Sequence, residues 1–277
     1  KTFQALSYER LQAALSDLFG LTLSQGGLMN LLQRAQKCLR FGRDEAVSTL
    51  RRATVVTSDE TGVRIEGSNA YHWVFHATDA VVHTASPTQG AVVVREMMDG
   101  HRPAVWISDR YTAQQGHAAA HQTCLAHLAR DVAYAVDTSD DPVPWRLQLW
   151  LQSVFALAER ATDLAASTLA AKRRSLDRQL GAILATPSHC DLTRDLQAKI
   201  GRARHQLLVF LAHPSAVEPT NNGSERLLRP SVIQRKVTNG YRAMWAAEGE
   251  AAIRTVVDTA RLTGSSSFGT ILKTVGA

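Results

Sequence analysis

The first fifty residues carry apolar side chains at helical spacing. Apolar residues recur every three or four positions between Ser7 and Gly20, which predicts a helix with a capping residue at each end. A second run with the same spacing follows Ser24 and predicts a second helix. The short glycine-containing link allows a helix-turn-helix that reads DNA, whereas two helices that only brace the next domain are the commoner arrangement.

Between residues 53 and 109 the spacing changes from helical to strand-like. A β-branched run at 54–57 and alternating aromatic residues after Ala70 predict strands, and the short links between them predict antiparallel pairing. A helix opened by Pro87 and a compact apolar strand ending at Asp109 follow. The predicted order is β-β-β-α-β, with strands over residues 53–65, 70–78, 80–85 and 104–109 and the helix over 87–98.

A polar, proline-containing stretch at 140–144 precedes a region with helical spacing throughout. Three apolar runs there predict an all-helical insertion that ends at His213 and Pro214. A further helix-compatible segment begins at Asn221, before Pro230. The predicted parts are an N-terminal helical segment, a mixed α/β domain in two pieces and the insertion between them, at residues 1–52, 53–141 with 217–277, and 142–216.

Composition excludes several classes of protein. Hydrophobic residues make up 45% and charged residues 20% of the 277 residues, which is typical of a globular protein. Three scattered cysteines do not form a disulfide framework, so we expect a reducing, intracellular setting. The sequence has no run of eighteen apolar residues, and we expect a soluble chain with no membrane partner. The start at Lys1 leads us to expect a piece of something longer.

The formal net charge of +6 is unevenly distributed along the chain. Residues 53–144 carry five basic and eleven acidic side chains, whereas segments 1–52, 145–219 and 220–277 each have four more basic than acidic ones. Basic surface attracts nucleic-acid phosphates, and clustered carboxylates repel them unless metal cations lie between. The pattern indicates metal-dependent chemistry on nucleic acid, with scattered acids on a basic enzyme as the alternative.

Two acidic residues lie late in predicted strands. Asp59 lies late in the first strand and Asp109 ends the fourth, so pairing of these strands would bring their carboxylates to one edge of the fold. Paired carboxylates bind Mg²⁺, and two ions about 4 Å apart stabilise both the attacking and the leaving oxygen of a phosphodiester. The structural alternatives are a strand end that runs into a turn for Asp59 and a strand-to-loop cap for Asp109.

Glu225 is the candidate for a third carboxylate. It lies three residues after Asn222, which is also the spacing of a capping box, in which the Glu side chain satisfies a backbone amide. An ordinary helix-surface ion pair with Arg229 is another alternative.

Four motifs carry a family resemblance. They are Ser-Asp-Glu-Thr-Gly at 58–62, Ser-Asp-Arg-Tyr at 108–111, Cys-Leu-Ala-His-Leu-Ala-Arg at 124–130, and Pro-Thr-Asn-Asn-Gly-Ser-Glu-Arg-Leu-Leu-Arg-Pro at 219–230, followed by Arg235 and Lys236. In type and order they resemble the motifs of bacterial insertion-sequence transposases of family sixty-six, from about Tyr8 to the C-terminus. One difference is Thr220, where the family often has Asp.

The resemblance implies a ribonuclease-H-like catalytic core, β-β-β-α-β-α, interrupted by the helical insertion. It implies an Asp-Asp-Glu triad at Asp59, Asp109 and Glu225 that binds Mg²⁺ or Mn²⁺, with two ions expected. It also implies a DNA transposase that cuts transposon ends and joins the 3′-hydroxyl to target DNA. Double-stranded DNA, a homodimer or higher oligomer, and accessory proteins are the candidate partners, in the cytoplasm of a bacterium at the nucleoid.

Other side chains are candidates for supporting the site or contacting DNA. Cys124, His127 and Asn222 are supporting candidates, although Cys124 is equally explained as a small buried residue. The Cys-x-x-His spacing also allows half of a zinc site, for which no second ligand pair is evident. The DNA-binding candidates are Arg226, Arg229, Arg235, Lys236 and Arg242 near the third acid, with Tyr241 and Trp245 as stacking partners, and Lys172, Arg173 and Arg174 in the insertion.

Two other functions remain open from the sequence. A structure-specific nuclease on the same fold would cut DNA without joining it. A DNA-binding remnant would hold DNA without cutting, since the N-terminal zinc-binding or DNA-binding modules that family members carry are not in this sequence.

Overall fold

The structure is a computed structural model that describes residues 1–276. It is a mixed α/β fold, with five strands and ten α-helices in that part of the chain. The strands are β1 (Val55–Ile65), β2 (Ser68–His76), β3 (Val81–Ser86), β4 (Val105–Ser108) and β5 (Ala120–Thr123). The helices are α1 (Tyr8–Phe19), α2 (Gln25–Leu50), α3 (Val92–Met98), α4 (Leu125–Thr138), α5 (Pro142–Ala158), α6 (Ala166–Leu184), α7 (Asp191–Ala203), α8 (Asn222–Thr238), α9 (Met244–Leu262) and α10 (Ser267–Gly276).

The described residues divide into two compact units. Unit 1 combines residues 1–102 with 223–276, and unit 2 consists of residues 103–222. The predicted element order β-β-β-α-β is present as β1, β2, β3, α3 and β4. The predicted domain limits at residues 52, 141 and 216 stay predictions.

Both N-terminal helices begin where the local sequence directs, and α1 also ends there. Ser7 Oγ accepts a hydrogen bond from Arg10 N (3.1 Å) at the start of α1, and Gly20, at φ 65°, ends that helix. Ser24 Oγ accepts from Gly27 N (3.0 Å) at the start of α2. Helix α2 then continues to Leu50, well beyond the apolar run that predicts it.

Three antiparallel strands form the sheet of unit 1. β1 pairs with β2 and β2 with β3, which confirms the predicted hairpins. Helices α8 and α9 pack on one face of these strands. Ala247 of α9 joins a core cluster with Val63 and Ile65, and Leu228 of α8 joins another with Val74 and Val81.

A buried polar network lies on the same face. His72 Nε2 and His83 Nδ1 are 3.0 Å apart, and His83 Nε2 is 3.0 Å from Asp258 Oδ2 of α9. Thr255 Oγ1, also on α9, accepts from His83 N at 2.9 Å. Burial lowers the pKa of His83 and lowers that of His72 well below the ordinary value, so both imidazoles are neutral in the folded unit at pH 7.

Helix α8 continues through Pro230 instead of stopping before it. Proline has no N–H to donate and disrupts a helix interior. The stripe of α8 that includes Leu228, Ser231 and Gln234 is buried on both sides of the proline, so tertiary packing outweighs the local preference. The helix thereby extends eight residues beyond Pro230, to Thr238.

Unit 2 combines two short parallel strands with helices. β4 pairs with β5, which the sequence does not predict, and four helices follow. Asp141 caps α5 by accepting from Val143 N (2.8 Å), and Trp150 Nε1 donates to the Leu176 carbonyl (2.9 Å), which ties α5 to α6. No helix within residues 1–276 is long and apolar enough to cross a bilayer.

Candidate active site

Asp59 lies on the sheet face that α8 and α9 cover. It is paired with Val74 of β2, and directly opposed residues of an antiparallel pair point to the same face. Val74 in turn packs against Leu228 of α8. Asp59 is half-buried, and its Oδ1 accepts a hydrogen bond from the backbone N–H of Glu60 (2.9 Å).

The first turns of α8 cover that same face. Gly223 lies so close to His76 of β2 that a Cβ atom there would be 3.4 Å from His76 Nδ1. His76 and Val74 are two residues apart on one strand and therefore share a face. Glu225 lies between Gly223 and Leu228 on α8 and is half-buried. The first and third predicted acids are thus brought to one face of the unit 1 sheet.

Helix α8 begins at Asn222, one residue earlier than a capping box with Asn222 as the N-cap requires. Asn222 itself is exposed. Its predicted supporting role stays a prediction.

Two buried hydroxyls on α8 have no hydrogen-bond partner within residues 1–276. They are Ser224 Oγ and Ser231 Oγ, and Ser224 is fully buried directly beside Glu225. A buried polar atom without a protein partner is uncommon and calls for an explanation such as water or an ion. A buried hydroxyl that could bind water or an ion therefore lies directly beside Glu225.

Asp109 belongs to unit 2, where it follows the fully buried strand β4. Its Oδ1 accepts from the backbone N–H of Tyr111 (2.9 Å). Its carbonyl oxygen accepts from Ser108 Oγ (2.9 Å) and from Gln115 Nε2 (3.4 Å). The backbone at Asp109 is thus held from both sides.

His121 supports this backbone from β5, and sequence reasoning does not single it out as a site residue. Its Nε2 lies 3.2 Å from Ser108 Oγ, and burial lowers the pKa of its imidazole to about 4. The imidazole is therefore neutral at pH 7, and its Nδ1 is buried without a hydrogen-bond partner in residues 1–276. The sequence signals for this position are its nearness to the Cys-x-x-His element and the alternation over residues 120–123, which is the shortest run that can indicate a strand.

Cys124 fixes the chain just before α8. It is fully buried, and its Sγ accepts a hydrogen bond from Asn221 N (3.1 Å). The next residue, Leu125, donates its backbone N–H to the Pro219 carbonyl (2.9 Å). His127 is half-buried on the first turn of α4, and the supporting roles predicted for Cys124 and His127 stay predictions.

The predicted DNA-binding residues differ in what they contact. Arg235 donates to Thr61 Oγ1 (2.9 Å) and to the Gly62 carbonyl, so it fastens α8 to β1. The guanidinium that would contact a DNA phosphate is therefore already hydrogen-bonded within unit 1. The other candidates on or after α8 are exposed, as are two of the three in the insertion: Arg226, Arg229, Lys236, Arg242, Lys172 and Arg174, with Arg173 half-buried.

A group of metal-binding side chains would support the predicted Mg²⁺ or Mn²⁺ cofactor. Within residues 1–276, no three His, Cys, Asp or Glu side chains are grouped so that they could hold a metal ion. Asp59 and Glu225 share a face of unit 1, and Asp109 lies in unit 2. The assignment of the three acids as metal ligands stays a prediction.

Comparison with known families identifies the class of protein. The model of the Transposase IS66 family matches residues 1–249, about nine-tenths of the chain. Transposases are DNA-processing enzymes, and the resemblance carried by the four sequence motifs is confirmed. The chain belongs to the IS66 family of transposases. No curated protein matches it.

Proposed function

We propose that this chain is the catalytic part of a transposase that cuts DNA at transposon ends and joins the freed 3′-hydroxyl to target DNA. The observation that carries the proposal is the placement of Glu225 on the sheet face that holds Asp59, in a chain of a transposase family. A ribonuclease-H-like core is part of the proposal, and the order β-β-β-α-β supports it.

Asp59, Asp109 and Glu225 are the proposed catalytic acids and would hold Mg²⁺ or Mn²⁺. Carboxylate oxygens are the ligands that these ions prefer. The unpartnered Ser224 Oγ beside Glu225 also suits a hydrated cation. Two ions bound by these acids would stabilise the charge that develops at phosphorus and lower the pKa of the attacking water.

The proposed reaction has two displacements at phosphorus. In the first, water attacks the phosphodiester at the element end, and the 3′-oxygen leaves and takes up a proton. In the second, this 3′-hydroxyl attacks a target phosphodiester, loses its proton and displaces the target 3′-oxygen. One phosphodiester forms as another breaks, so no covalent protein intermediate and no external energy source are required.

The protein residues have a positioning task in both steps. Strand pairing with Val74 fixes Asp59, and hydrogen bonds from Ser108 and Gln115 fix the backbone of Asp109. Reacting groups gain most from catalytic side chains that are already in position.

Exposed basic side chains on and after α8 are the proposed phosphate contacts beside Glu225. Arg226, Arg229, Lys236 and Arg242 are available for this because they are exposed. Two transposon ends must be joined to one target, so we propose a homodimer or larger assembly on paired ends, acting at the bacterial nucleoid with accessory proteins as candidate partners.

The test is nicking and strand transfer of labelled double-stranded DNA in Mg²⁺ or Mn²⁺. We expect Asp59→Asn, Asp109→Asn and Glu225→Gln each to lose activity by about a hundredfold or more while still binding DNA, because each removes a charged ligand at nearly constant shape. Matched controls are Asp79→Asn and Glu248→Gln, two exposed acids of unit 1 that should leave activity unchanged.

Each other outcome contradicts a different part of the proposal. Full activity of Glu225→Gln would show that the third acid lies elsewhere. Cutting without strand-transfer products would indicate a nuclease, and metal-independent binding without nicking would indicate a DNA-binding remnant. Sedimentation of only monomers on paired-end DNA would contradict the proposed assembly.

A further inference from the structure

The helical part of unit 2 contains a cavity of about 580 Å³. It lies between α6 and the two short 3₁₀ turns that follow α7, at Arg204–Gln206 and Val209–Ala212. We call it the insertion cavity. Its volume exceeds that of a single nucleobase several times.

The interior of the insertion cavity is aliphatic. Leu169, Leu208 and Leu211 line it and are buried, and Leu164 and Pro214 are half-buried beside them. No Phe, Tyr or Trp side chain lines it. Such a surface favours a flat or apolar group over a hydrated ion.

One wall of the cavity contains an ion pair that additional contacts hold in place. Arg204 Nε and Nη2 donate to the two carboxylate oxygens of Asp177 (2.8 Å each), and Nη2 also donates to the Asp177 carbonyl (2.8 Å). The guanidinium lies against Gly181, where a Cβ would approach it to 3.0 Å. The Arg204 hydrogen bond lowers the pKa of Asp177, so this carboxylate stays ionised and neutralises Arg204.

The charge left at the cavity is positive. Arg173 and Arg174 both line it, and neither forms a hydrogen bond or ion pair within residues 1–276. His205 also lines the cavity and is exposed. Arg173 and Arg204 both act on the ionised Asp177, so the lining carries three guanidinium groups against one carboxylate and forms an anion-binding mouth above an apolar interior.

We propose that the insertion cavity binds one unstacked nucleotide of a DNA strand, with the base in the aliphatic interior and its phosphate at Arg173 and Arg174. This rests on the proposed action on DNA, because only then is a strand delivered to the unit. The combination of an apolar interior and a cationic mouth matches a nucleotide, which is flat at one end and anionic at the other. An unpaired base pays the smallest unstacking cost, so strand ends are the favoured source.

The experiment uses the full chain and a DNA duplex that ends in a short single-stranded 3′ extension carrying 2-aminopurine. Binding is followed by anisotropy, and the environment of the base is followed by 2-aminopurine fluorescence, which rises when the base leaves a stack. Because no Phe, Tyr or Trp side chain lines the cavity and His205 is exposed at its edge, we expect fluorescence to increase at least twofold on binding. A fully paired duplex of the same sequence should show no such increase.

Removal of positive charge tests whether DNA binding depends on the cavity or on a general basic surface. The double substitution Arg173→Gln with Arg174→Gln should weaken binding of the extended duplex about tenfold. Arg178→Gln with Arg202→Gln removes the same charge from exposed positions of α6 and α7 that do not line the cavity, and should weaken it much less. Equal losses in the two double variants would overturn the proposal in favour of a general basic surface.

Narrowing the cavity tests the base itself. Ala166→Leu with Ala170→Leu places two larger side chains on the cavity-lining face of α6, whereas Ser167→Leu with Ala171→Leu places them on exposed positions outside it. Only the first pair should abolish the fluorescence increase. That pair should also lower the affinity for the base-bearing extension to the affinity that wild type has for an abasic extension. Thermal unfolding followed by circular dichroism checks that both variants fold.

The remaining outcomes separate this inference from the proposed reaction. If an abasic extension binds wild type as tightly as a base-bearing one, no base enters the cavity and the proposal is wrong. If an acidic peptide competes at the cavity better than the extension does, the occupant is a protein segment instead. If the chain binds the extended duplex with the expected fluorescence increase but never cuts DNA, the proposed reaction is wrong and the cavity proposal stands.

Discussion

Gly240 holds the turn between α8 and α9 in a conformation that no side chain fits. Its φ is +103°, and a Cβ atom there would overlap the carbonyl oxygen of Arg64. The same carbonyl accepts a hydrogen bond from Tyr241 N (2.8 Å), so β1 and this turn are held together. We expect Gly240→Ala to lower the free energy of unfolding by about 3 kcal/mol, because both strain and overlap oppose it.

Gly264 is a control that separates the effect of backbone strain from the effect of atomic overlap. Gly264 also has a positive φ of +71°, but nothing lies within 4 Å of the position of its Cβ. Gly264→Ala should therefore cost only about 1 kcal/mol, from backbone conformation alone. Urea unfolding of the two variants gives the comparison, and equal losses would show that the contact with Arg64 is unimportant.

Residues whose role depends on their immediate neighbours could be predicted from the sequence. Ser7, Gly20 and Ser24 act within one helical turn, and all three are found as predicted. His121 could not be found in this way, because its contact with Ser108 depends on the pairing of β4 with an unpredicted strand. The relation of Asp59 to α8 likewise depends on strand register, which spacing alone does not give.

At the scale of elements, α8 is the helix on which structural and DNA-binding roles must be separated. Arg235→Gln removes the hydrogen bonds to Thr61 and Gly62, so we expect a loss of about 1–2 kcal/mol in the free energy of unfolding. Lys236→Gln, its exposed neighbour, should leave stability within about 0.5 kcal/mol and weaken DNA binding instead.

Chemical unfolding and DNA-binding isotherms at two salt concentrations measure these opposite effects. Loss of one phosphate contact should also reduce the salt dependence of binding for Lys236→Gln. If Arg235→Gln is as stable as wild type and binds DNA more weakly, Arg235 is a phosphate contact and its bonds to β1 are incidental.

The elements themselves show where sequence patterns succeed. Strands β1 to β3 and the insertion helices α5 to α7 follow from apolar spacing, because each buries one regular face. The course of α8 through Pro230 does not follow, since its stability comes from burial of Leu228 and Gln234 against distant parts of the chain. Long-range packing is invisible to a local pattern.

At the scale of the whole molecule, the buried histidine pair makes unit 1 sensitive to acid. Burial lowers the pKa of His72 and His83 in the folded state, while the unfolded chain titrates near 6.5. Below that pH the unfolded state takes up protons that the folded state does not. The free energy of unfolding should therefore fall by about 1 kcal/mol at His72 between pH 6.5 and 5.5, and by less at His83, where Asp258 favours the protonated imidazole.

Unfolding in urea at pH 7.5, 6.5 and 5.5 measures this loss. His72→Gln, which cannot take up a proton, should flatten the pH dependence, whereas His189→Gln at an exposed position should not. A wild type equally stable at all three pH values would contradict the assignment of neutral buried imidazoles.

The division of unit 1 into two segments has a consequence for how the protein is made. Residues 103–222 are a continuous stretch and emerge from the ribosome complete, whereas β1 to β3 must wait for α8 and α9 to cover their face. Until residues 222–262 are translated, Val63, Val74 and Val81 have no partner from those helices. We expect nascent chains that stop before α9 to bind chaperones and to be cleared, so that premature termination yields no truncated competitor of the enzyme.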